Sequence, residues 1–262
     1  PNDFGSQGAK PVYPQLLDWL ATEYRYGGWS RRKMIRLIVT SSTYRMMSAA
    51  NSVSSQHDVS NQSLWRQNSY RVSAEIVRDL HLTASGLLDR TIGRRGIRPP
   101  LPAFVTEVGR SVKWPVSVGS ARYCRGMYIF FKRTVPYPML MTFDAPDATV
   151  SCSRRERSNT PLQALTLLND PVFYECAETL GRQMINMHPN DVSAAINDLF
   201  QRCLGRQPVD QELPCLTAMH QDVLRMKEAE NRKLKSTEDP NVAAMIAVTR
   251  VVMNLDEFIT RD

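Results

Sequence analysis

Two carboxylates and a cluster of guanidinium groups stand in one proline-punctuated stretch, 132–171, of this 262-residue chain. Asp144 and Asp147 lie three apart in FDAPD (143–147) and bracket Pro146. Paired carboxylates do acid/base work when their surroundings separate their pKa values, and they bind hard cations through oxygen. The commoner use of an Asp-Pro turn is local, each carboxylate bonding to nearby backbone. Glu156 and Asp170 follow in sequence, but no EF-hand spacing joins them and no metal site is expected. Arg154, Arg155 and Arg157 then precede Asn159, Thr160 and Pro161, which read as a helix start. A helix N-terminus has free N–H groups and partial positive charge, so arginines beside it suit a carboxylate, sulfate or phosphate. Alternatively the arginines pair with Asp144, Asp147 or Asp170 and brace the loop. Gln163 and Asn169 are amides on the helix that follows, as caps or as ligand contacts. Lys132 and Arg133 leave the aromatic run MYIFFK (127–132) and meet a proline-rich turn. Tyr128, Phe130, Phe131 and Tyr137 suit stacking on sugar or base rings, but core packing is commoner for such a stripe. The candidate ligand-binding set is therefore Lys132, Arg133, Asp144, Asp147, Arg154, Arg155, Arg157, Asn159, Thr160, Gln163, Asn169 and Asp170.

Other chemistry finds little support. His57, His81, His188 and His220 are isolated, and none forms an i, i+4 metal pair. No nucleophile elbow, phosphate loop or dinucleotide fingerprint occurs. Five cysteines, at 124, 152, 176, 203 and 215, match no zinc or haem-attachment spacing. Cys176 and Cys203 fall among apolar helix positions and read as packing residues, and a Cys124–Cys152 disulfide stays open.

The elements that must position the stretch read as mainly helical. Apolar residues recur at helical spacing over 14–26, 31–44 and 72–88, with Ser30 as an N-cap and Gly27-Gly28 as a turn. Residues 49–63 are rich in Ser, Asn and Gln and read as an exposed loop. From 91 to 126, glycine, proline and arginine break every period. MYIFFK reads as a short buried strand. Helices resume at Pro161 with Thr160 as cap, at Pro171 with Asp170 as cap, and at 192 with Asp191 as cap; Gly205 closes the last of these. Asp210 opens another helix, 226–239 reads as loop, and 242–255 as a last apolar helix. The fold class is mainly α: a multi-helix domain of about eight helices with a central loop-rich segment and at most a small β element near 104–131. Two halves, 1–90 and 127–262, joined by the irregular basic segment 91–126, are expected within one domain.

The net charge is +7. Ten basic residues between Arg90 and Arg133 face one acid, Glu107. Such a segment favours acidic partners: nucleic acid, anionic lipid, acidic polysaccharide or acidic protein. No apolar run approaches the roughly 20 residues of a membrane-spanning helix. The chain starts at Pro1, and a helix follows soon after, so it reads as a piece of a longer protein.

Several segments carry a family resemblance: PNDFG (1–5), LLDWLA (16–21), GWS (28–30), RLIVTSSTYR (36–45), KRT (132–134), FDAPD (143–147), RRERSNTPLQALTLLNDP (154–171) and MNLDEFITRD (253–262). They resemble the planctomycete-specific domain of unknown function of the domain of unknown function 1553 family, found in large cytochrome-c-containing proteins. The resemblance implies a C-terminal module of a larger, exported, extracytoplasmic protein. It implies haem c on a separate domain and no cofactor in this chain, which lacks Cys-x-x-Cys-His. Tyr13 stands where the family usually has His, so a role of that His does not carry over. The leading expectation is a non-catalytic module that binds upstream domains of the same protein or an anionic ligand, such as an acidic or sulfated glycan. An extracytoplasmic hydrolase or oxidoreductase, with Asp144, Arg155 and Gln163 converging on a deep pocket, is the first alternative. Nucleic-acid binding through the basic segment ranks last, because no recognition motif accompanies the charge.

Overall fold

A computed structural model describes residues 6–48, 58–101, 114–133, 136–152, 154–234 and 239–261. Part of the expected loop (49–57), Arg110 and Lys113 of the basic segment, and the PNDFG marker lie outside the described residues. The chain divides into two compact units, Pro1–Tyr70 with Thr260–Asp262, and Arg71–Ile259.

The first unit holds a helical hairpin, α1 (Pro14–Tyr26) and α2 (Arg31–Val39). Ser30 caps α2 by accepting from the Lys33 N–H, as its sequence position predicts. The turn is locked by Trp29, whose N–H donates to the Tyr24 carbonyl at 2.9 Å and whose ring meets that of Tyr24 edge-on. Helix α2 stops at Val39 rather than Tyr44, because Thr40 and Ser41 turn their hydroxyls back onto the last carbonyls. In the Ser/Asn-rich stretch Asn61 is buried, with its side chain bonded to Arg66 and Asn68.

The second unit contains α3 (Ala74–Ala84), α4 (Pro138–Thr142), α5 (Pro161–Asn169), α6 (Pro171–Met187), α7 (Val192–Leu204), α8 (Glu212–Leu234), α9 (Pro240–Val252) and α10 (Asp256–Ile259). Ten α-helices thus occur among the described residues, and the only sheet among them pairs β1 (Tyr70–Arg71) with β2 (Thr260–Arg261). The mainly α class holds. Helix α6 is the centre of the core: Phe173, Cys176, Leu180 and Met184 are buried, and α9, α3 and α7 lie against it. Helix α9 also packs along α8.

Three local expectations change. Residues 226–234 are helical, because α8 continues through its charged end on Lys227–Glu230 and Glu228–Arg232 pairs. Helix α8 begins at Glu212 rather than Asp210, and the Glu212 carboxylate accepts from the Val209 N–H. MYIFFK is not a strand. Gly126–Tyr128 forms a 3-10 turn, and only Ile129 makes an isolated bridge, with Ile97. The Gly126 N–H donates to the Asp79 carboxylate at 2.6 Å, which ties this segment to α3 instead of to a sheet.

A candidate anion and partner site at the start of α5

Helix α4 is short, and its last carbonyls are closed by the residues after it. The Asp144 N–H donates to the Met141 carbonyl and the Ala145 N–H to that of Leu140. This is the paired closure that needs a left-handed residue just past the helix. Asp144 takes that position, at φ 60°. Aspartate tolerates the region better than most residues. The turn aims its carboxylate across 14 residues to Ser158, whose N–H and hydroxyl donate to it at 2.7 and 2.8 Å. Ser158 in turn accepts from Gln163 Nε2 at 3.2 Å, and the same amide nitrogen donates to the Thr142 carbonyl at 3.0 Å. FDAPD and NTPLQ are therefore stitched together through one serine that the sequence reading did not single out. Its signal was a Ser–Asp complement too far apart in sequence to read as a turn.

Gln163 is 1% exposed. The Thr142 carbonyl, an acceptor, dictates which end of the amide faces it. Gln163 Oε1 is thereby left buried without a partner. Gln163 lines a hollow of about 30 Å³ together with Arg71, Val72, Ser73, Phe143, Asp144, Arg155, Glu156 and Arg157. That volume takes a single water-sized group.

Arg155 donates to Glu75 in the first turn of α3 at 2.7 Å, rather than to any aspartate of its own stretch. Arg71 pairs with Asp256. Arg154 is exposed, and no described residue pairs with its guanidinium. The structure thus gathers Asp144, Arg155, Arg157 and Gln163 around one hollow with Arg71 and Glu156, and Ser158 bonds to Asp144 and Gln163 beside it. Other candidates stand apart from it. Asp147 is exposed and accepts from the Thr149 N–H and hydroxyl, the local turn expected of Asp-Pro; those bonds hold its carboxyl below the usual range. Lys132 is half-buried and Arg133 exposed on the approach to α4. Asn159 is exposed, and Thr160 sits at the N-cap of α5 without a side-chain cap bond; the Gln163 N–H donates to the Thr160 carbonyl at 3.0 Å instead. Asn169 and Asp170 lie at the far end of α5, where Asp170 caps α6 through the Val172 N–H at 2.9 Å.

A second concavity, of about 310 Å³, runs between α4 and α5, lined by Pro138, Met139, Thr142, Leu162, Leu165 and Thr166, with Asn169 and Asp170 at its end. The Gln163–Thr142 hydrogen bond separates it from the polar hollow.

Arg78 escaped the sequence reading. It is 1% exposed, on α3, and donates to the Arg122 carbonyl at 2.6 Å. Burial pushes the Asp170 carboxyl up, against the charge of Arg78. All five cysteines are free, so no Cys124–Cys152 bridge forms. Among the described residues no His, Cys, Asp and Glu cluster has the make-up of a metal site, and no helix is long and apolar enough to cross a membrane.

Compared with known protein families, residues 1–220 match the one described as a protein of unknown function (DUF1553). No curated protein and no solved structure matches the chain.

Proposed function

The chain belongs to the DUF1553 family of proteins of unknown function, and on that premise we propose that it is a non-catalytic helical binding module. Its ligand is an anionic group, carried by a neighbouring domain or by an acidic or sulfated glycan, held on the arginine face at the start of α5. One observation carries this reading. Arg154 is exposed with no side-chain partner among the described residues, and it adjoins in the chain Arg155, which lines a polar hollow. A guanidinium in that position has its donors available for carboxylate or sulfate. A catalytic reading needs room for a substrate. Asp144, Arg155 and Gln163 do line one hollow, but its volume is about 30 Å³, against roughly 300–1,000 Å³ for small-molecule sites. The wider setting, a C-terminal module of an exported planctomycete protein with haem c on another domain, rests on the resemblance of the marker segments.

The test is calorimetric titration of the purified chain with heparin, polygalacturonate and the upstream domains at low and physiological salt. Binding should weaken as salt rises, and Arg154→Ala should weaken it several-fold with an unchanged melting temperature. Absence of binding to every one of these at low salt, or affinity indifferent to Arg154→Ala and Arg155→Ala, would remove the proposal.

A further inference from the structure

The groove between α4 and α5 meets the hydrogen-bond circuit around Ser158 only at Thr142, and it is the larger of the two concavities. Its walls are aliphatic. Leu162 and Leu165 are 60% and 54% exposed. They stand i, i+3 on α5, on one side of the helix, while Gln163 and Leu167 take the buried side. Exposed leucines in register over a concave apolar floor lose free energy in water that an apolar guest would restore. Charge lies at one end. Past the Gln163–Thr142 hydrogen bond come Arg155 and Arg157 at the hollow, with Arg154 next in the chain. At the other end Asp170 is buried and its carboxylate is occupied by the Val172 N–H.

We infer that this groove seats an apolar side chain of a protein segment whose adjoining carboxylate rests on the arginines beside the hollow. The inference rests on the anion-binding reading and narrows its ligand. Sugar rings are gripped by stacking on aromatic faces, and no aromatic residue lines the groove. Aliphatic walls and a cationic end complement a chain that alternates apolar and acidic side chains. Such a segment contributes its apolar contact independently of salt and its ionic contact in a salt-dependent way.

The probes are three labelled 12-residue peptides read by fluorescence anisotropy on the whole chain: one with leucines beside Asp and Glu, one with Asn and Gln in place of the acids, one with Ser in place of the leucines. Polygalacturonate is titrated in parallel. The leucine–acid peptide should bind at least several-fold more tightly than either control. Leu165→Gln should weaken that peptide several-fold and leave polygalacturonate unchanged, and Arg154→Ala should weaken both. Leu162→Gln serves as a second groove variant if Leu165→Gln alters the thermal melt. Equal binding of the leucine and serine peptides, or indifference to both groove variants, overturns the inference. Retained polygalacturonate binding would then leave the broader proposal standing, and loss of every ligand would defeat both.

Discussion

Asp144 ends a helix and anchors a loop with the same residue. Its backbone takes the left-handed turn past α4, and its side chain holds Ser158. An alanine there would lose charge-assisted bonds and keep the backbone strain. Gln163 shows the opposite economy, with its nitrogen used twice and its oxygen not at all. His81 is a third residue defined by its surroundings. It is buried between the rings of Phe173 and Phe258, and its Nδ1 bonds to the Val77 carbonyl at 2.8 Å. Burial pushes its pKa down to about 4 from the ordinary 6.5. The unfolded chain therefore takes up a proton as pH falls below about 6.5, while the folded chain resists until about 4. Stability from neutral His81 is complete above that window and is lost as pH falls through it, by about 3 kcal/mol. Urea midpoints at pH 7, 5.5 and 4.5 should fall more steeply for the native chain than for His81→Leu. Parallel slopes would show that this imidazole does not control the acid response.

Proline-started, side-chain-capped helices carry the second unit. Pro161, Pro171 and Pro240 each open a helix, and Asp170, Asp191 and Asp239 each accept from a first-turn N–H. The starts at Pro161, Pro171 and Val192 read directly from sequence, because a proline at the first helical position and a capping aspartate are local chemistry; α9 starts at Pro240, two residues before the expected 242. The segment 119–129 is set differently, by contact with α3. Gly126 lies so close to that helix that a Cβ would meet the Glu75 carbonyl oxygen at 2.5 Å and its Cα at 2.8 Å. Both obstacles are backbone and cannot step aside, so Gly126→Ala should cost about 1–3 kcal/mol by overpacking. Chemical denaturation followed by circular dichroism measures it; an unchanged midpoint would mean that the approach is looser than this geometry. The same contact explains the lost strand of MYIFFK. A β-prone run cannot form a sheet without a partner strand, and here its backbone bonds go to Ile97 and back to Arg125 and Gly126, while Gly126 itself is held by Asp79.

At the scale of the whole chain, thiols report how the fold is distributed. Cys152 and Cys215 are exposed, Cys124 and Cys176 buried, and Cys203 intermediate. Burial pushes Cys176 and Cys203 up to about 12, so neither supplies thiolate at ordinary pH. A short maleimide pulse at pH 8, followed by mass spectrometry, should label Cys152 and Cys215 and spare Cys176 and Cys203 until denaturant opens the second unit. Early labelling of Cys176 would mean that α6 opens locally. The outcome also separates what was legible in the sequence from what was not. The helix starts at Pro161, Pro171 and Val192, the helical class, the Asp147 turn and the packing role of Cys176 depend on residues a few positions apart, and the chain alone determined them. The end of α8 was misread because its ion pairs follow helical spacing within a stretch whose composition resembles loop. The partner of Arg155, the burial of Arg78, and the union of Asp144 with Ser158 and Gln163 join residues 14 to 80 positions apart. Only tertiary packing decided them, because an arginine or a glutamine has the same local preferences whether the fold covers it or leaves it in water.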